Sequence, residues 1–152
     1  MNKLKALYDI ESVIIDNLPK LAEAATDNDL KKVLNDHLKE TKDQSKRLEE
    51  AFKLLGETPD RLESEAIRGL VKDAEWCVEN IEEGDQLDLA LIGAASYVEH
   101  YEMAGYNSAR MLAEASAESE VADLLDATFT EEETADMKLS DLATIISGRL
   151  SS

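Results

Sequence analysis

Apolar residues recur at intervals of three and four along nearly the whole chain, which is the spacing of one face of an α-helix. The first such stripe is Leu4, Leu7, Ile14, Ile15, Leu18, Leu21, Ala22 and Ala25, predicting a helix over about residues 2–25. Pro19 falls inside it, where a missing backbone donor predicts a kink. Asp27 has the side chain of an N-cap for a second helix reaching about residue 55, with the stripe Leu30, Val33, Leu34, Leu48, Ala51, Phe52 and Leu55. Gly56 ends that helix, and Pro59 marks the first turn of a third, over about 59–83. Its stripe is Ile67, Leu70, Val71, Ala74, Val78 and Ile81, with no acidic residue facing inward. A fourth helix spans about 86–115 through Leu91, Ala95, Val98, Gly105, Ala109 and Leu112. A fifth spans about 118–147 through Val121, Leu124, Leu125, Thr128, Leu139, Leu142, Ala143 and Ile146.

Four of these stripes are interrupted by polar residues at corresponding depth. Glu11 sits between Leu7 and Ile14 on the first helix. On the second, His37, Glu40, Thr41 and Gln44 separate the two apolar blocks. Glu99 and Glu102 lie along the stripe of the fourth, and Glu132 and Asp136 fill the gap between Leu125 and Leu139 on the fifth. An unpaired carboxylate in an apolar core costs several kcal/mol, so a shared cation is the simplest compensation. The spacing also repeats. Glu11 precedes Glu40 by 29 positions and Glu102 precedes Glu132 by 30, while Glu40 with Gln44 parallels Glu132 with Asp136. Two helical hairpins related by a pseudo-twofold would each supply one carboxylate per helix.

Composition agrees with the helical pattern. The chain has 152 residues, the length of a single domain, and only 6 glycines and 2 prolines interrupt it. The expected fold is all-α: a four-helix bundle of two hairpins, with the third helix as an additional crossover element, in one domain over 1–152. A formal net charge of −18 repels phosphates and anionic lipid, so neither nucleic acid nor membrane is an expected partner. No apolar run approaches the length of a membrane span, and Asp9 and Glu11 interrupt the N-terminal segment before a signal-peptide core can form. Cys77 is the only cysteine, which excludes an intrachain disulfide and fits a reducing, cytoplasmic setting.

Chemically, a set of carboxylates joined by a nitrogen or amide ligand suits two divalent ions of iron or manganese, and excludes a Cys-rich structural zinc site. Nothing in the chain resembles a nucleophile–base triad or a phosphate-cradling glycine loop. His37 can serve as a ligand, as a residue orienting a carboxylate, or as a satisfied core histidine; His100 is rotated away from the Glu99–Glu102 face. Tyr106, one turn after Glu102, is placed to hydrogen-bond a ligand.

The segments LYDIES (7–12), HLKETKDQSKRLEEAF (37–52), VEHYEMAGY (98–106) and EEETADMKLSDLA (131–143) together resemble the YciE/YciF group of ferritin-like bacterial stress proteins. The resemblance runs in order along nearly the whole chain. It implies a ferritin-like bundle, a dinuclear metal centre and a homodimer. Carried over by position, it points first to Glu11, Glu40, Glu102 and Glu132 as ligands, then to Glu99, Gln44, Asp136 and His37. The chain departs from the Glu-x-x-His pattern of ferritins, because Asp43 follows Glu40 and Ala135 follows Glu132 at that spacing. Two function classes stay open. One is a di-metal oxidoreductase of the stress response acting on oxygen or peroxide; the other is a non-enzymatic stress or interaction protein with a structural or empty carboxylate site.

Overall fold

The computed structural model describes residues 1–150, so the last two positions of the single domain expected over 1–152 lie outside the described residues. Five helices are present among them and no strand: α1 (Asn2–Ala24), α2 (Asn28–Leu54), α3 (Glu65–Asn80), α4 (Asp85–Ala115) and α5 (Ser119–Leu150). The expected all-α architecture of two hairpins and a crossover helix is what the chain adopts.

The long helices run antiparallel to their neighbours. Tyr8 on α1 donates to Glu49 on α2, and Ser96 on α4 donates to Asp136 on α5. The two hairpins meet through α1 against α4 and α2 against α5. Gly105 belongs to the first of these contacts: a Cβ there would stand 3.0 Å from Leu7, so glycine lets the two helices close up. α1 continues through Pro19 as one helix.

Helix ends follow the sequence where the capping chemistry is local. Asp27 accepts from the backbone of Asp29 and Leu30 and starts α2. Gly56, at φ 71°, closes α2 with the paired bonds Gly56 N–H to Lys53 O and Glu57 N–H to Phe52 O. The start of α3 differs from the expectation. The helix begins at Glu65, not near Pro59, because residues 57–64 are held extended against α1 by long-range partners. Leu62 N–H donates to Lys5 O, and Ser64 N–H donates to the buried carboxylate of Asp9, which also pairs with Arg68 at 2.7 Å. α3 then lies along α1 and α4 and returns the chain to the far end of the bundle. There Asp88, fully buried, accepts from the backbone of Thr26 and Asp27 and from the Thr26 hydroxyl.

The core has two apolar lobes with a polar belt between them. One lobe contains Leu7, Leu48, Phe52 and Leu125; the other contains Ile14, Leu18, Leu34, Leu91, Leu139 and Ile146. Two positions assigned to apolar stripes face solvent instead. Leu112 and Val78 are exposed because the inward line of α4 passes through Ala109 and Ala113, and that of α3 through Ala74, Cys77 and Ile81. No helix among the described residues is long and apolar enough to cross a membrane.

Candidate metal centre

The polar belt gathers side chains from α1, α2, α4 and α5. Glu11, Glu102 and Glu132 are fully buried, Glu99 and His37 nearly so. One ligand atom from each of His37, Glu99, Glu102 and Glu132 lies within 4.8 Å of every other, a spread that a single cation can span. His37 Nε2 points into this group, 3.2 Å from Glu99 and 3.7 Å from Glu132, without the alignment of a hydrogen bond.

Glu11 approaches from α1 and is oriented by Tyr106, whose hydroxyl donates to its Oε1. Its other oxygen has no partner. Gln44 closes the belt on the same side as Arg47. The Gln44 amide donates to Glu131, Arg47 makes a two-pronged pair with Glu131 at 2.8 and 2.9 Å, and Arg47 also donates to Thr128. Oε1 of Gln44 is buried and unpartnered.

Glu40 and Asp136 are placed differently from this inner set. On α2 the inward direction passes through His37, Thr41 and Gln44, and Glu40 is rotated about 60° from His37 at 100° per residue. It is only half-buried, with Oε2 3.5 Å from His37 Nδ1 and Oε1 3.7 Å from Lys138. Glu40 therefore touches the cluster from outside, through the histidine. Asp136 sits at the rim, accepting from the Ser96 hydroxyl at 2.5 Å and lying 3.5 Å from the exposed ring of His100. Of the eight residues singled out in the sequence, the structure joins His37, Glu99, Glu102 and Glu132 in one group. Glu11 and Gln44 border it, and Glu40 and Asp136 remain peripheral.

Electrostatics in the belt is severe. Burial, then the nearby Glu132 carboxylate, pushes the Glu11 carboxyl well above its usual range. The same two causes, in the same order, act on Glu102, and Glu11 and Glu99 add to them. Glu99 is raised by burial first and then by Glu132. Burial also raises the Tyr106 phenol. Outside the belt the sign reverses, and the bond from His37 lowers Glu40.

These residues fit a divalent cation. Four carboxylates and an imidazole converge, and eight of their buried polar atoms, counting Gln44 Oε1, have no hydrogen-bond partner. A buried polar atom left unpaired costs about 1–3 kcal/mol, and a cation would satisfy several at once. Arg47, Glu131 and Thr128 escaped the sequence reading as part of this arrangement. Arg47 follows Gln44 by three positions and Glu131 precedes Glu132, so helical adjacency was the available signal.

Comparison with known proteins places the chain. Its residues 1–150 match the model of a family described as a domain of unknown function, DUF892. It is 36% identical to protein YciF of Escherichia coli strain K12 over 141 residues, covering 92% of this chain and 85% of that protein. The crystal structure of the E. coli stress protein YciF superposes with a TM-score of 0.93 at 34% identity, over 97% of this chain and 93% of that one. YcfI from Rhodopseudomonas palustris, proposed as a structural protein, superposes with a TM-score of 0.90 at 37% identity, over 91% and 88% of the two chains. With this coverage and these identities, the chain belongs to the DUF892 family, as a relative of YciF.

Proposed function

We propose that this protein is a metal-binding carboxylate protein with a role in the stress response, holding divalent iron or manganese in the polar belt. The observation that carries this reading is the convergence of His37, Glu99, Glu102 and Glu132 with their ligand atoms unpartnered in the core. One ion would be held by these four residues. A second would lie toward Glu11 and Gln44, with Glu102 and Glu132 available to both. The imidazole favours a transition ion over calcium or magnesium, and the majority of oxygen donors favours iron or manganese over copper. Such ions supply redox chemistry toward oxygen or peroxide. The protein's share is to fix the ligands: Tyr106 holds one oxygen of Glu11, and Glu40 holds the outer nitrogen of His37. The stress role is carried over from E. coli YciF, and the homodimer that the sequence resemblance implies belongs to the same proposal.

A second reading has a specific observation in its favour. Burial raises Glu11, Glu99 and Glu102 together, so a core of protonated carboxyls without any ion is physically coherent. It would suit a structural protein, as YcfI is proposed to be.

Elemental analysis separates the two. Protein prepared without chelator or metal-affinity tag is expected to carry or take up iron or manganese, up to about two ions per chain. Glu132→Ala and His37→Ala are expected to lose it. No metal in the wild type and none after reconstitution would establish the protonated core instead. Light scattering on the same samples reads the dimer.

A further inference from the structure

The polar belt reaches the surface between α2 and α5 through Gln44, Glu131 and Arg47. Gln44 is fully buried, and its amide spans the step from inside to outside. The nitrogen donates to Glu131 at 3.1 Å, while the oxygen is unpartnered in the core. The Glu131 carboxylate is partly exposed and carries the guanidinium of Arg47 on both oxygens, at 2.8 and 2.9 Å. The same guanidinium donates at 2.7 Å to the hydroxyl of Thr128, a buried residue one turn before Glu131. Glu11, whose Oε2 has no partner, is near enough for its carboxyl to feel both charges of the pair. Arg47 thus fills the position of a cation. Two carboxylate oxygens and a hydroxyl oxygen hold it beside a free amide oxygen, a donor set that suits a hard divalent ion.

Other approaches from solvent to the cluster are poorer for an ion. Glu40 and Lys138 stand behind the His37 ring, which separates them from the inner carboxylates. Asp136 is held by the Ser96 hydroxyl, and neither side chain has an unpartnered atom in the core. The recess beneath α3 touches His37 and Glu99 between mostly aliphatic walls, where a hydrated ion would shed waters with nothing to replace them. Beside Arg47 each lost water is replaced by an oxygen of Glu131, Thr128 or Gln44, and then of Glu11. The Arg47–Glu131 pair is itself partly exposed, so opening it strands neither charge in the core.

We propose that Glu131, Gln44 and Thr128 form an entry site for a divalent cation, filled by the guanidinium of Arg47 until an ion displaces it. The arriving ion takes the freed oxygens and passes to the Glu11 side of the belt. Arg47 is then a tethered competitor. It slows both entry and escape, and between ions it keeps Glu131 from standing as an uncompensated charge beside Glu11. Passage to the cluster rests on the metal-binding reading above; binding of an ion at the entry site does not.

The test uses the full-length chain and manganous ion. Uptake is followed after mixing, and release after adding excess chelator. Arg47→Ala should speed both by about tenfold, because a two-pronged, charge-assisted contact leaves the barrier. Arg47→Lys keeps the charge on a single contact and should fall between that variant and wild type. Lys46→Ala removes a neighbouring exposed charge, paired only with Asp43, and should leave both rates within about twofold. Rates unchanged in both Arg47 variants, or changed equally by Lys46→Ala, overturn the proposal. A second arm uses Glu132→Ala, which lacks an inner ligand, so that the entry site is read alone. Paramagnetic broadening of the Gln44 side-chain amide and the Thr128 methyl reports manganous ion there. Adding Arg47→Ala should bring half-broadening at about tenfold lower manganese, and adding Glu131→Gln as well should cancel the gain. Broadening indifferent to Arg47 and Glu131 overturns the site. This localised broadening, in a chain whose wild type never takes up manganese, supports the ion site and removes the metal reading, so the two failures are distinguishable.

Discussion

His37 Nδ1 lies 3.5 Å from Oε2 of Glu40, while the opposite nitrogen of the same ring faces Glu99, Glu102 and Glu132. One turn of α2 thus supplies an inward ligand and the carboxylate that steadies it. With Nδ1–H donating to Glu40, the Nε2 lone pair is directed into the cluster, an arrangement common among metal-bound histidines.

Glu40→Gln is expected to lower metal affinity by about 10–100-fold while leaving the stoichiometry intact, because it disturbs a residue that orients a ligand. Glu132→Ala should abolish uptake. Isothermal titration with ferrous or manganous ion under anaerobic conditions measures both. Equal loss in the two variants would place Glu40 among the ligands themselves, requiring α2 to rotate when metal enters.

Tyr106 is the corresponding support for Glu11. Its ring is fully buried and its hydroxyl bond joins α4 to α1 across 95 positions of sequence. Tyr106→Phe keeps the ring and leaves both Glu11 oxygens unpaired. The metal-free protein should lose about 1–2 kcal/mol in urea unfolding, the cost of stranding a buried acceptor. Saturating metal should recover part of that loss, because a ligand bound only by the folded state stabilises it.

The raised carboxyls give the metal-free protein a distinctive pH dependence. Burial raises Glu11, Glu99 and Glu102 in the folded state, so the fold binds more protons than the unfolded chain. The stability linked to these groups is fully present below the unfolded carboxylate range and is lost as pH rises through their folded values. Asp9, Asp27 and Glu40 have the opposite sign, since their partners lower them, and their contribution is lost only on acidification. Between about pH 5 and 8 the raised set should dominate, and metal-free stability should fall as pH rises. Glu102→Gln should flatten that slope and stabilise the metal-free protein at pH 8. A wild-type slope of the opposite sign across this range would contradict the burial account.

How far these features were legible follows from where their causes lie. The long helices and the polar interruptions at Glu11, His37, Glu102 and Glu132 were readable because helical periodicity is a local signal. The inner and outer ranks of His37 and Glu40 were not. They are three positions apart, and only the direction from which α1, α4 and α5 pack decides which of them faces inward. Asp9 and Asp88 were missed for a related reason. Each has solvent-like chemistry in sequence, and each is buried because it accepts bonds from a distant segment, Ser64 with Arg68 or Thr26 with Asp27. The late start of α3 has the same origin, since Pro59 is a sound helix opener until Lys5 and Asp9 hold the following residues extended.

The two tight helix ends permit a test of backbone strain separate from the cluster. Ala117 follows α4 at φ 60°, the left-handed region that α2 gives to Gly56. The bonds match as well: Ala117 N–H to Glu114 O and Glu118 N–H to Ala113 O repeat the closure at Gly56. An alanine there pays about 1–2 kcal/mol for the left-handed conformation. Glycine removes that penalty but gives the unfolded chain more freedom, worth about 0.4–1 kcal/mol in the other direction. Ala117→Gly should therefore stabilise the protein by about 0.5–1 kcal/mol, read as a higher urea midpoint at unchanged slope. Gly56→Ala should lower the midpoint by a similar amount, and it does so without a clash, because no atom lies within 4 Å of the added Cβ. If both substitutions shift the midpoint in the same direction, helix propensity at the termini outweighs the left-handed strain and this account of the two turns is wrong.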